Sequence, residues 1–162
     1  GGWAGGRGGA PPPPQGAAAE GREDLQGEVE ALRVLAQARA DLNTAMRGNG
    51  QTPAWIASSK GQVEALKVLA DARADLSTAT PSGQTPAWIA SAKGQVEVLR
   101  VLASARADLN TPEQNGTTPA WFAAAEGKVE ALQVLASAGA DLSTAAQDQT
   151  PAFAAASNGQ VG

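Results

Sequence analysis

The sequence predicts an all-α solenoid of stacked helix-turn-helix units with projecting hairpin-like loops. Two repeated phrases and one feature of composition lead there. Thr-Pro-Ala-aromatic occurs at Thr52–Trp55, Thr85–Trp88, Thr118–Trp121 and Thr150–Phe153, at spacings of 33, 33 and 32 residues. A fixed period of that size marks one supersecondary unit packed on copies of itself. A second phrase, Val63–Ala70, returns as Val96–Ala103 and Val129–Ala136, and an earlier copy, Val29–Ala36, has no Thr-Pro before it. Leu, Ile, Val and Phe together make only about a sixth of the chain. Net charge is a modest −4 and alanine fills many helical positions. A thin, alanine-lined core repeated along an array fits this composition better than disorder does.

Residues 1–16 are rich in Gly and Pro, with a run at Pro11–Pro14 and one large apolar residue, Trp3. Such a segment buries too little surface to offset its chain entropy, and a disordered tail with a short polyproline II stretch is expected. A proline-rich ligand for an SH3 or WW domain would carry flanking residues that this run lacks.

The array then occupies 17–162: a degenerate first repeat at 17–49, repeats at 50–82, 83–115 and 116–148, and a short last unit at 149–162. Ala17 to Gln26 reads as a degenerate first helix. In each later unit Thr suits the N-cap, and Pro suits the first turn because its missing N–H has no intrahelical acceptor there. Gly61 closes the helix begun at Thr52-Pro53, as the residue that accepts a left-handed cap. A second helix starts near Gln62, with Glu64 favourable in its first turn. Val63, Leu66, Leu69 and Ala70 recur at helical spacing and mark its buried stripe. The polar segment Leu76 to Gln84 is a turn leading to the next Thr-Pro.

The phrase Gly-x-Thr-Pro-x-x-x-Ala-x-x-x-Gly-x-x-Glu-x-x-x-x-Leu-x-x-x-x-Ala-Asp runs through Gly50 to Asp75, Gly83 to Asp108 and Gly116 to Asp141. In this the chain resembles the ankyrin repeat proteins, over about residues 22–162. The resemblance implies stacked helix pairs with finger loops at roughly a right angle. It also implies a non-enzymatic binding module that uses finger tips and the inner face of the first helices.

Several positions depart from the family pattern. Trp55, Trp88, Trp121 and Phe153 replace a histidine that ties neighbouring repeats, and Gln62, Gln95, Lys128 and Gln160 replace a second one. An indole offers one N–H donor and a large apolar surface. Ala70, Ala103 and Ala136 stand where the family has a leucine, so the larger ring is expected to fill that space. Arg39, Arg73 and Arg106 stand where the family has a left-handed glycine, kept only as Gly139. Strain of about 1 kcal/mol at each is expected, partly offset by the guanidinium at the helix C-terminus.

Composition narrows the chemistry. There is no cysteine and no histidine, which removes thiolate ligands, disulfides and the commonest general base. Glu64, Glu97, Glu130 and Asp75, Asp108, Asp141 recur identically, whereas catalysis needs a unique constellation. No enzyme activity, cofactor or metal is expected. Mild acidity argues against nucleic acid, which needs clustered Lys and Arg. No apolar run approaches the ~20 residues that insert in a bilayer. The compartment stays open, with the cytoplasm as default and an organelle possible if an N-terminal segment has been removed. The last unit stops at Gly162 where its second helix should begin, so a fragment or a covered end is expected.

The ring ladder reads first as packing between repeats, and second as a stacking platform for an aromatic ligand. Specificity belongs to positions that differ between repeats. On the fingers these are Arg47, Asn49, Thr80, Ser82, Glu113, Asn115, Gln147 and Asp148, with Met46 beside them; on the first helices they are Ser59, Lys60, Lys93 and Glu126. They run from basic to acidic along the array. The expected partner is a protein held on the concave face. The alternative is a structural subunit of a larger complex, its ends and ring ladder covered by neighbours.

Overall fold

The computed structural model describes residues 16–159. Trp3, Pro11–Pro14 and Gln160 lie outside the described residues, and of the segment expected as a tail only Gly16 falls inside. Eight helices and no strands occur among the described residues.

The first helix, α1, runs unbroken from Gly16 to Gln37. Two helices meeting at a turn were expected here, by analogy with the later repeats. The turn is absent because nothing locks it. Gly27 occupies the place of Gly61, but it stays out of the left-handed region, and no Thr-Pro precedes it. A glycine permits the cap without enforcing it.

Three helix pairs follow: α2 (Pro53–Lys60) with α3 (Val63–Asp71), α4 (Pro86–Ala92) with α5 (Val96–Ser104), and α6 (Pro119–Ala125) with α7 (Val129–Ser137); α8 (Pro151–Ser157) comes last. Thr52, Thr85 and Thr118 each accept a bond from the backbone N–H of the tryptophan three residues on, at 3.1 Å, and Thr150 does so from Phe153 at 3.3 Å. Proline occupies the first turn each time. Gly61 ends α2 at φ 69°, and a Cβ there would come within 2.5 Å of Gln95 Oε1. Gln95 thus lies back over the previous repeat's turn, and glycine is favoured there by its left-handed backbone.

The helices stack in two rows. α2, α4, α6 and α8 pack in series as first helices; α1, α3, α5 and α7 pack in series behind them. The main core lies between the rows, with Leu66, Leu69, Leu99, Leu102 and Leu135 fully buried. Each second helix closes with paired bonds, as Ala74 N–H to Leu69 O at 2.9 Å and Arg73 N–H to Ala70 O at 3.0 Å. This is the left-handed closure expected of a glycine, carried by arginine at φ 57–58° in three of four cases. None of the three guanidinium groups hydrogen-bonds a described residue.

Tryptophan does not fill the space left by the missing leucine. Trp55 and Trp88 form a separate cluster with Ile89 along the first-helix row, while Ala70 and Ala103 pack against the main core. A first-helix ring that faces along the array cannot also reach between the rows.

Candidate interaction surface

The fingers are short turns held by one or two backbone bonds. Thr80 N–H donates to Gln84 O at 3.0 Å, and Glu113 N–H to Thr117 O at 3.0 Å. The finger at 143–149 is one residue shorter, which accounts for the 32-residue spacing. There Ala146 and Gln149 exchange both backbone bonds at 2.9 Å, and Gln147 and Asp148 between them have φ 49° and 63°. Two consecutive left-handed residues are the mark of a type I′ hairpin turn. Adjacent fingers touch, since Gln114 N–H donates to Ser82 O at 3.0 Å.

Beneath each finger an aspartate closes a turn. In Asp41, Asp75, Asp108 and Asp141 one carboxylate oxygen accepts a backbone N–H two residues on, at 2.7–2.8 Å. The other accepts a threonine hydroxyl three residues on, at 2.5–2.6 Å. These bonds, the threonine hydroxyl first, hold all four carboxyls below their ordinary range. The same aspartates also tie repeats together. Asp75 N–H donates to Asn43 Oδ1 at 2.7 Å, Asp108 N–H to Ser77 Oγ at 2.9 Å, and Asp141 N–H to Asn110 Oδ1 at 2.8 Å. Sequence reading missed this staple, although an Asn or Ser two places after every Ala-Asp-Leu aspartate was there to be seen.

The ring ladder is mostly internal. Trp55 and Trp88 are buried, Trp121 is half-buried and Phe153 is exposed. Trp88 packs on Phe122 with ring centroids 5.0 Å apart. The indoles of Trp88 and Trp121 donate to Thr117 O at 3.1 Å and Gln149 O at 2.8 Å, each in the next finger. Trp88 and Trp121 thus tie their helices to the next finger, and the buried rings of Trp55 and Trp88 present no open stacking face.

The variable positions separate into two groups. Arg47, Asn49, Lys60, Lys93, Asn115, Glu126, Gln147 and Asp148 are exposed. Ser59, Ser82 and Glu113 are half-buried, and Thr80 is buried. Thr80 was expected to face a partner, but its hydroxyl pairs with Ser82 Oγ at 2.9 Å and accepts Gln84 N–H at 3.2 Å. Glu113 accepts from Asn115 Nδ2 and Thr117 Oγ1, both at 3.0 Å. These two finger residues build the turn itself, a role that sequence variability does not separate from recognition.

The exposed first-helix positions align. Lys60 ends α2, Lys93 caps α4 and Glu126 caps α6. Among the described residues there is no cluster of three or more potential metal-ligating side chains, and no helix is long and apolar enough to cross a membrane.

A family model of ankyrin repeats, in three copies, matches residues 17–113. No curated protein matches the chain.

Proposed function

Because the chain belongs to the ankyrin repeat family, whose repeats mediate protein–protein interaction and are typically not enzymatic, we propose that it binds a protein partner on its concave face of fingers and first helices. One observation carries this reading. Most residues that recur in every repeat serve caps, turns and packing, while a set of varying, exposed residues lines up on the fingers and at the C-terminal ends of the first helices, with others on the second helices at Lys67, Arg100 and Gln133.

Charge supports it. Lys60 and Lys93 suit the negative ends of α2 and α4, but Glu126 opposes that of α6 and gains nothing from the helix. A carboxylate placed against the helix dipole is better explained by a partner than by stability. The row reads basic, basic, acidic, which would orient a partner of complementary pattern and act mainly through association rate and salt dependence.

The test is a charge reversal, Lys60→Glu with Lys93→Glu, against a matched control, Lys67→Glu with Arg100→Glu. The control residues sit on the second-helix row in exposed pairs with Glu64 and Glu97 at 2.7 and 3.2 Å. Such pairs stabilise little, so both variants should fold. Proteins captured by the wild-type chain should be lost from the first variant and kept by the second. Equal loss from the control, or none from the first pair, places the interface elsewhere.

A further inference from the structure

Gln95 lies over Gly61, next to Lys60 at the end of α2. Lys128 repeats this one unit on. A Cβ at Gly94 would stand 3.4 Å from Lys128 Cδ, and Gly94 follows Lys93, the cap of α4. Two lysines therefore share the turn between α4 and α5, where the preceding unit has one lysine and a neutral amide. Neither reaches a carboxylate among the described residues, whose ion pairs belong to Arg33, Lys67 and Arg100.

Lys128 is also the N-cap of α7. A cation opposes the positive end of a helix, just as Glu126 opposes the negative end of α6. Gln62 and Gln95 hold the same cap in the other units without charge and without a side-chain cap bond. Folding does not call for a lysine there.

The charges are evenly spaced. α2 packs on α4 and α4 on α6, and packed helix axes stand about 8–10 Å apart. Lys60, the Lys93–Lys128 pair and Glu126 follow one another at that interval: one positive charge, two, then a negative. One turn back on the same helix face stand Ile56, Ile89 and Phe122, of which Ile56 and Phe122 are half-buried. A polyproline II chain turns once in three residues and rises about 3.1 Å at each. It presents every third side chain on one face at about 9 Å, the interval of the helices. A β-strand points its third residue to the opposite face.

We propose that the concave face takes an extended polyproline II segment of its partner. Carboxylates of the segment lie opposite Lys60 and the Lys93–Lys128 pair, and a cation lies opposite Glu126. Prolines between them cover Ile56 and Phe122. Lys128 makes the middle position selective for acid. This assignment rests on the concave-face reading and goes beyond it in the backbone form and charge order of the segment.

The probe is a dye-labelled synthetic peptide with blocked termini, Glu-Pro-Pro-Glu-Pro-Pro-Lys, together with its reverse, since the chain can run either way. Glu-Pro-Pro-Lys-Pro-Pro-Glu has the same composition but sets a lysine against the pair. Fluorescence anisotropy at about 10 mM ionic strength, where screening extends over about 30 Å, should show one of the first two peptides binding more tightly than the third. Lys128→Gln, the residue of the other units, should keep the helical circular dichroism and weaken that peptide about two- to fivefold. Gln95→Lys, which sets a second cation beside Lys60, should tighten it by a similar factor. Lys67→Glu with Arg100→Glu should leave it unchanged. Equal binding of all three peptides, or binding of none at millimolar protein, overturns the proposal, as does a Lys128→Gln variant that binds like wild type. If proteins captured by the wild-type chain are still lost on reversing Lys60 and Lys93, the concave face stands and only the polyproline segment falls.

Discussion

The indole N–H of Trp88 donates to the backbone oxygen of Thr117, 29 residues further on, at 3.1 Å, with the threonine hydroxyl at 3.3 Å. That hydroxyl in turn donates a hydrogen bond to Glu113 Oε1 at 3.0 Å. One ring therefore joins a first helix to the next finger and to that finger's internal bonding. The indole of Trp55, also buried, has no hydrogen-bond partner among the described residues.

The pair forms a built-in comparison. Phenylalanine at either site removes the N–H and keeps most of the apolar contact. At Trp88 a bond is lost, while at Trp55 an unpaired buried donor is lost. Trp88→Phe should cost about 1 kcal/mol more than Trp55→Phe, measured as the difference in urea unfolding free energy. Equal costs would mean that the bond to the finger contributes nothing net.

Ser58 and Ser91 are fully buried with hydroxyls that pair with no described residue, and the third repeat carries Ala124 at the same position. Ser58→Ala and Ser91→Ala should each stabilise the fold by about 1 kcal/mol, from relief of the unpaired hydroxyl and from better helix propensity. Thermal midpoints should rise for each and add in the double variant. A fall in either would reveal a bound water satisfying that serine.

Arg73→Gly and Arg106→Gly should each stabilise by roughly 0.5–1 kcal/mol, because φ of 58° penalises a Cβ. The unfolded chain gains freedom with glycine, which limits the benefit to that range. Denaturant midpoints check it. A decrease in both would mean that the arginine stems contribute more by covering apolar surface than the backbone loses.

The four turn aspartates have carboxyls lowered from 3.8 in the folded state, the threonine hydroxyl being the largest cause. A lowered folded value contributes stability that is present above the unfolded value, about 3.9. That stability is lost as pH falls through the folded one. Thr78→Val with Thr111→Val should therefore lower the thermal midpoint at pH 7, and the gap to wild type should narrow as pH falls below about 4 and close once it is under the lowered folded value. A gap that persists in acid would assign the loss to packing rather than to the hydroxyl–carboxylate bonds.

Much of this architecture was readable in the residues. The Thr-Pro starts, the glycine and arginine stops and the leucine stripe each name a local backbone event, and a period of 33 obliges those events to stack. What could not be read depends on neighbours in space. Thr80 varies between repeats like a recognition residue, yet it is buried because its own finger folds over it. The tryptophans seemed fitted to the space beside Ala70, but a helix presents each residue in one direction, and theirs runs along the row. Gly27 matched the stop signal of the other repeats without acting on it. The exposed members of the expected interaction surface were legible because variation and exposure coincide at Lys60, Lys93 and Glu126.

Two kinds of joint hold each repeat to its neighbours, and they point in opposite directions. The indoles of Trp88 and Trp121 reach forward to the finger that follows, and the aspartate reaches back to the Asn or Ser before it. Excising residues 83–115 would bring Trp55 against the finger at Thr117 and Asp141 against Ser77, the aspartate joint re-forming with a different member of its series. The length of this protein is therefore a quantity that duplication and loss can alter in whole steps without disturbing any surviving step. A recognition surface built this way can be lengthened or shortened one binding position at a time.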